Sequence, residues 1–224
     1  MIIITSLSAG HSNKDNQHNA IKSWEGYGTC YSMNNANEIS QLLPLYDDDN
    51  IRFIKTDRTV QQLIGKPLVS INAMIDFAIK KEEDLLLINS DILIAGLPEF
   101  KQDGITIFSR YDYTNSFDDA RMFIYGFDIF HIPQHLLSIF PPSIYSLGCA
   151  WWDISLPYRC ILNNIPVYYP KERYAYHKLH PTQYNMDEWN YIAEYFKWEF
   201  KLDKRLNGGQ VATSIMNQIK ANYK

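Results

Sequence analysis

The sequence predicts an α/β protein whose mixed, mostly parallel β-sheet is flanked by helices on both faces. Over residues 1–90, short apolar segments rich in β-branched residues alternate with segments whose apolar residues recur at helical spacing. This alternation is typical of a parallel sheet, because each helix returns the chain to the starting edge of the next strand. The uninterrupted apolar run at 85–88 is typical of a strand buried on both faces, which places it in the middle of the sheet.

The composition limits the class of protein. A chain of 224 residues with 46% hydrophobic residues predicts one folded domain. Its net charge of −4 argues against a nucleic-acid partner bound by bulk electrostatics. The three cysteines are far apart and match neither a metal motif nor a disulfide framework, which predicts a reducing, cytoplasmic location. No stretch approaches the roughly 20 apolar residues of a membrane span, and the start MIIITSLSAG lacks the basic leader of a signal peptide.

The elements of the first half follow from spacing and from polar residues at their ends. They are, in order, strand 2–4, helix 16–25, strand 29–33, a helix around 39–43, strand 51–55, a longer helix over 68–81 and the central strand 84–89.

The second half is less regular and richer in aromatic residues. The elements expected there are strand 105–109, strand 123–132, a short helix at 133–140, a glycine loop that becomes helical around 153, strand 166–170, an extended segment at 171–181 and an amphipathic helix at 186–200. The polar tail from residue 207 is expected to be peripheral.

The polar triplet Asn89-Ser90-Asp91 follows the central strand and is the first candidate for a site. Ligands of open α/β sheets bind outside the carboxyl ends of the strands, where an aspartate can hold a metal ion and a phosphate. The alternative is a simple turn, since all three residues readily bond their own backbone. The glycine signatures of dinucleotide and P-loop binding are absent from the sequence, which disfavours both chemistries.

Over residues 1 to about 180, the order of features resembles that of the GT-A-fold glycosyltransferases. The shared features are a first strand ending in small polar residues, Asn34 after the second strand, Arg58 after the third, the aspartate motif at 89–91, a G-x-x-x-W-[DE] loop at 148–153 and a late histidine. The D-x-D motif of that family is NSD here, so Asn89 stands in place of the first carboxylate.

The resemblance implies a single Rossmann-like GT-A domain over 1–224, with a nucleotide-sugar half at about 1–95, an acceptor half at about 96–185 and a C-terminal helix and tail at 186–224. It implies an enzyme that moves a hexosyl or deoxyhexosyl group from a nucleoside-diphosphate sugar to a glycan or other hydroxyl acceptor.

The resemblance also implies a cofactor, Mn²⁺ or Mg²⁺, held by Asp91 and a late histidine. His177 is the preferred ligand, because residues three apart in an extended segment face opposite sides and only one of His177 and His180 is then expected to face the site. Lys178 or His180 is expected near the diphosphate.

In the resemblance, Asp153 stands where inverting members of that family carry their acceptor-side acid, so it is expected to be the base that takes the proton of the acceptor hydroxyl, which would invert the anomeric centre. The alternative is that Asp153 caps the helix that follows it. Asp128 is a second candidate base. The expected substrate and nucleotide contacts are Thr5, Ser6, Asn34, Arg58, Lys66, Asn89, Ser90, Asp128, Trp152, Lys178 and His180.

Two other functions remain open at this point. The incomplete D-x-D favours a catalytically degenerate module that binds a nucleotide sugar or sugar. A sugar nucleotidyltransferase shares the layout but usually has a glycine-rich, basic loop after the first strand, whereas SAGHSNKDNQ carries a single lysine.

Overall fold

The computed structural model describes residues 1–11, 14–47, 50–180 and 185–224. The strands are β1 (Ile2–Thr5), β2 (Thr29–Asn34), β3 (Ile51–Lys55), β4 (Leu85–Ile88), β5 (Ile92–Ile94), β6 (Ile105–Phe108), β7 (Tyr111–Tyr113), β8 (Arg121–Met122), β9 (Ile129–Ile132), β10 (Val167–Tyr168) and β11 (Ala175–Lys178). The helices are α1 (Lys14–Ser23), α2 (Ala36–Leu42), α3 (Gln61–Ile64), α4 (Ile71–Lys81), α5 (Trp152–Leu162), α6 (Met186–Glu199) and α7 (Gly208–Ala221), with 3-10 turns at Leu43–Leu45, Phe117–Asp119 and Gln134–Ile139.

The main sheet has seven strands in the order β10-β6-β9-β4-β1-β2-β3. All its pairs are parallel except the two made by β9, which runs antiparallel to β4 and to β6. Every residue of β4 is buried, and β4 pairs with β1 on one side and β9 on the other. The prediction of a mixed, mostly parallel α/β sheet with 85–88 at its centre is therefore confirmed.

The strand order produces a crevice between β1 and β4. The chain runs outward from β1 through β2 to β3 and then returns to the other side of β1 as β4. The connections that leave the carboxyl ends of β1 and β4 therefore diverge to opposite sides, which is the place where ligands bind in doubly wound sheets. The loop after β1 and the triplet at 89–91 meet there.

Both faces of the sheet are covered, as alternating side chains of β1 show. Ile2 and Ile4 lie in the core shared with α4, α5, α6 and α7, while Ile3 lies in the core shared with α1 and α2. Trp24, fully buried, anchors the second core by donating from its indole N–H to the carbonyl of Ile92 at 2.8 Å. No helix within the described ranges has the length and apolar character needed to cross a bilayer.

A second, four-stranded sheet, in the order β5-β11-β7-β8, lies at the carboxyl end of β4. Within it, β11 pairs antiparallel with β5 and parallel with β7. The register places His177 beside Ile92 on one side and beside Asp112 on the other. This sheet therefore brings β7 and β11, which are distant in the chain, close to Asp91.

Two predicted elements differ in the structure. The strand expected at 123–132 is reduced to β9, because the amide of Phe127 donates to the Asp153 carboxylate at 3.1 Å instead of joining the ladder. The tail expected to be peripheral contains α7, which packs against α5 and α6. Its apolar residues Val211, Ile215 and Ile219 recur every four positions and are buried, and an Asn207–Gln210 capping box starts the helix.

Candidate active site

A cavity of about 860 Å³ opens at the carboxyl ends of β1 and β4. This volume lies within the range of small-molecule sites. Its lining has three parts: an imidazole–carboxylate cluster around Asp91, a group of buried polar side chains around Asp128 and Asp153, and a wall formed by α7 and the loop at 123–126.

Three histidines converge on one oxygen of Asp91. The distances from Asp91 Oδ2 to the Nε2 atoms are 3.0 Å for His180, 3.3 Å for His11 and 3.3 Å for His177. His11 comes from the loop after β1, His177 from β11, and His180 from just beyond that strand. Only one late histidine was expected to face the site, but both do, because β11 ends at Lys178 and strand alternation no longer applies to His180.

The ring of His177 is fixed by a chain of charged groups. Its Nδ1 lies 2.8 Å from Asp112 Oδ1, and the same carboxylate accepts from Arg110 Nε at 2.8 Å. Arg110 Nη1 also donates to Asp128 Oδ1 at 2.8 Å. A carboxylate on one ring nitrogen sets the orientation of an imidazole, so Asp112 holds His177 Nε2 toward Asp91.

The cluster holds Asp91 in its charged form. Burial raises the pKa of the Asp91 carboxyl, but hydrogen bonds from His11, His177 and His180 outweigh burial and keep that pKa well below its usual range. Burial lowers the pKa of His177, but its hydrogen bonds to Asp112 and Asp91 raise it to about 9. An ionised Asp91 beside a protonated His177 follows from this balance.

This donor set fits a divalent metal ion. Among the described residues, His11, Asp91 and His180 can each offer one ligand atom, and these atoms lie within 4.8 Å of one another. Imidazole nitrogens suit first-row transition metals, whereas Mg²⁺ prefers oxygen ligands and water. Two imidazoles with one carboxylate therefore fit a transition-metal ion better than they fit Mg²⁺.

Asn89 is matched to a buried carboxylate next to it. Its side-chain amide donates to Asp128 Oδ1 at 2.8 Å, and its backbone amide donates to the Asp128 carbonyl at 3.1 Å. Asp128 is 2% exposed, and its Oδ2 has no hydrogen-bond partner within the described part of the chain. Burial raises the pKa of Asp128, and the charge of Arg110 opposes that rise. An amide at position 89 can therefore donate a hydrogen bond to the Asp128 carboxyl group, whereas a carboxylate at position 89 would repel it.

Asp153 is the second residue of α5 and lies in the cavity wall. Burial raises the pKa of its carboxyl to about 7, although the hydrogen bond from the Phe127 amide lowers it. Gly126 leaves room for this carboxylate, since a Cβ there would lie 2.3 Å from Asp153 Oδ2. The N-cap of α5 is Trp151, in the left-handed region at φ 70°, so Asp153 lies within the first turn instead of capping it.

The cavity brings together most of the residues singled out from the sequence. Asp91 and His177, the expected metal ligands, and Asp153 all line it. Among the expected contacts, Ser90 Oγ lies 2.8 Å from the Gln17 amide and Lys66 Nζ lies 2.5 Å from Glu188 Oε2. The expected contacts in the lining are Ser6, Lys66, Asn89, Ser90, Asp128, Trp152 and His180.

Four expected contacts lie outside the lining. Asn34 is fully buried and uses its amide within the protein, accepting from Ser32 Oγ at 2.6 Å and donating to the Leu7 carbonyl at 2.8 Å. Arg58 is half exposed and pairs with Asp76 of α4. The remaining two are Thr5, which is fully buried, and Lys178, which is exposed at the end of β11.

Three contributors were not identified from the sequence: His11, Arg110 and the cavity face of α7. His11 lies in a polar loop with no motif around it, and its link to Asp91 spans 80 positions. The one available signal was its place after β1, whose carboxyl end borders the crevice.

No protein-family model matches the chain, and the search of curated proteins gave no match. Among solved structures, the chain is similar to a glycosyltransferase involved in the glycosylation of the major capsid of PBCV-1, at 10% identity and a TM-score of 0.40, covering 81% of this chain and 93% of that one. It is also similar to the mannose-1-phosphate geranyltransferase of Thermus thermophilus, at 9% identity and a TM-score of 0.38, covering 87% and 78%.

A third similar structure is the glycosyltransferase GlyE of Streptococcus pneumoniae, at 16% identity and a TM-score of 0.35. The match covers 89% of this chain but only 49% of the GlyE chain. Two of these three proteins are named as glycosyltransferases.

Proposed function

We propose that the protein is a metal-assisted glycosyltransferase that moves a sugar from a nucleoside-diphosphate sugar to a hydroxyl acceptor. One observation carries the proposal: a single cavity combines a cluster suited to a divalent ion, around Asp91, with a separate, partly buried carboxylate, Asp153, whose pKa is raised to about 7. An inverting transfer from a diphosphate uses these two parts, namely positive charge for the leaving group and a base for the attacking hydroxyl.

The donor diphosphate is proposed to lie against the cluster. A divalent ion held by His11, Asp91 and His180 would neutralise charge on the diphosphate as it leaves. The chain itself offers the hydroxyl groups of Ser6 and Ser90 at the same end of the cavity. We propose a hexosyl or deoxyhexosyl donor.

The three cysteines are free and buried, which supports a reducing, cytoplasmic setting.

The proposed chemical step is a single displacement. The acceptor oxygen attacks the anomeric carbon as the bond from that carbon to the diphosphate oxygen breaks, and the hydroxyl proton passes to Asp153. Displacement from the side opposite the leaving group inverts the anomeric centre. A carboxyl group with a pKa near neutrality is ionised often enough to accept the proton and basic enough to hold it.

A second candidate is a catalytically degenerate module that binds a nucleotide sugar without turnover. Asn89 favours it, because the amide that replaces the usual carboxylate is committed to Asp128 at 2.8 Å. The site would then keep the cluster around Asp91 as a binding device only.

Incubation with a panel of nucleotide sugars separates these candidates. Nucleoside-diphosphate release and thermal shift should be measured with Mn²⁺, with Mg²⁺ and with a chelator. We expect release in the presence of metal, with Mn²⁺ more effective than Mg²⁺. Binding without release, with or without acceptors, would favour the module, and absence of any binding would exclude both.

Asp91→Ala is expected to weaken Mn²⁺-dependent nucleotide binding by at least about 100-fold, because it removes the carboxylate on which the three imidazoles converge. His11→Ala should weaken it about tenfold or more. Calorimetric titration with nucleoside diphosphate, with and without Mn²⁺, provides the measurement.

The matched control for Asp91→Ala is Asp57→Ala, since Asp57 is exposed and outside the cavity lining. Metal-dependent binding that survives Asp91→Ala unchanged would show that the cluster is not the metal site.

A further inference from the structure

One wall of the cavity is made by α7 together with the loop at 123–126. Thr213, Asn217 and Lys220 line the cavity, and their spacing of four and three places them on one face of the helix. The apolar stripe described above occupies the opposite side of α7 and is buried in the core. The helix therefore turns a hydroxyl, an amide and an ammonium group toward the cavity.

The loop adds exposed apolar surface to this wall. Tyr125 is 74% exposed and Ile124 is 49% exposed, although both line the cavity. Lys220 Nζ donates to the Ile124 carbonyl at 3.4 Å, which ties the loop to the helix. Tyr125 directly precedes Gly126, the residue that makes room for the Asp153 carboxylate. A molecule bound on this wall would thus lie beside the proposed base.

The wall is held in place at both ends of α7. At its start, Gly208 packs so closely on Trp189 that a Cβ would lie 2.3 Å from that ring. At its end, Tyr223 stacks on Tyr169 with ring centroids 4.5 Å apart and planes 9° apart. A preformed wall loses little conformational entropy when a ligand binds.

We propose that this wall, Tyr125 with Thr213, Asn217 and Lys220, is the acceptor subsite, and that the acceptor is a carbohydrate; this inference rests on the proposed function. An aromatic ring beside several hydrogen-bonding groups complements a sugar, which has an apolar C–H face and a rim of hydroxyls. A lipid chain would instead cover three polar groups without pairing them, which is unfavourable.

The test uses the donor identified in the nucleotide-sugar panel and, as probes, the methyl glycosides of glucose, galactose, mannose, N-acetylglucosamine, fucose and rhamnose. We expect at least one glycoside to stimulate nucleoside-diphosphate release by the wild-type protein. In Thr213→Ala/Asn217→Ala and in Tyr125→Ala, the KM for that glycoside should rise about tenfold or more. Melting temperature and nucleotide-induced thermal shift report the integrity of the fold and of the donor site.

The matched control is Ser214→Ala/Gln218→Ala, which removes one hydroxyl and one amide from exposed positions of the same helix outside the cavity lining. The inference is overturned if no glycoside stimulates a protein that binds and hydrolyses its donor, or if the Thr213/Asn217 variant retains the KM of the control. If the wild-type protein binds no nucleotide sugar, the proposed function fails first and this inference falls with it.

Discussion

Replacement of Asp153 by asparagine is expected to lower kcat by about 10²- to 10⁴-fold, the usual contribution of a general base. Asparagine retains an oxygen that can accept the bond from the Phe127 amide, which is 3.1 Å from Asp153 Oδ2, but it cannot take a proton. Nucleotide-sugar binding should change by less than about threefold, since the cluster around Asp91 is intact. Steady-state kinetics with calorimetric binding measures both quantities.

The same variant should be more stable than the wild-type protein at neutral and alkaline pH. Burial raises the pKa of Asp153 from 3.8 to about 7, so between these values the folded state keeps a proton that the unfolded chain has lost. The wild-type free energy of unfolding therefore falls as pH rises through this window, and the contribution of Asp153 levels off above it. Asparagine does not titrate, so the free energy of unfolding of Asp153→Asn should lack this decrease between pH 4 and pH 8. Urea unfolding of both proteins over that range provides the comparison.

The pH dependence of turnover follows from the same group. In the wild-type protein, kcat should rise with pH up to about 7 and then level off, because the base acts only when ionised. The matched control is Asp187→Asn, since Asp187 is also the second residue of a helix but is exposed and outside the cavity lining. A variant at 153 that is inactive but also less stable at pH 8 would point to a structural role.

Asn89→Asp, which restores the D-x-D pattern, is expected to destabilise the protein by about 2 to 4 kcal/mol. The substitution removes the donor to Asp128 Oδ1, now at 2.8 Å, and places a second carboxylate against a side chain that is 2% exposed. Two close carboxylates cannot both ionise without a large penalty. Adding Asp128→Asn restores one acid and one amide across the same contact, and should recover more than half of the lost free energy in urea unfolding.

Asn37→Asp serves as the control for that series, because Asn37 is exposed in the first turn of α2. It should change stability by less than about 0.5 kcal/mol. Equal stability of Asn89→Asp and the wild-type protein would mean that the contact between residues 89 and 128 does not determine which residue can occupy position 89.

The strands of the parallel half could be predicted because a buried strand is a short, continuous run of apolar residues in the sequence. The run at 85–88 is apolar on both faces, and the structure places it as β4 with no exposed residue. The insertion of β9 between β4 and β6 could not be predicted, since antiparallel pairing with strands from different parts of the chain has no local signature. The spacing of Val211, Ile215 and Ile219 did carry a helical signal, which the polar residues around them obscured.

For the site, Asp91 was indicated by its place after the central strand, and Asp153 by the resemblance of the loop at 148–153 to that of GT-A-fold glycosyltransferases. The sequence did not indicate His11, whose role depends on contact with a residue 80 positions away. The sequence also did not explain why residue 89 is an asparagine. The reason is its hydrogen bond to the buried Asp128, and Asp128 was predicted to lie inside a strand at 123–132. Local sequence patterns thus indicate which end of the sheet carries the site, and tertiary contacts determine which residues belong to it.

The convergence of His11, Asp91 and His180 also has a consequence for the polymer as a whole. Asp91 contacts His11 across 80 positions and His180 across 89, so an ion shared by these three side chains would close two long loops of the chain. Cross-links that close long loops remove more entropy from the unfolded chain than short ones do. Binding of the ion would therefore stabilise the folded chain, and destabilising the fold would in turn weaken binding of the ion.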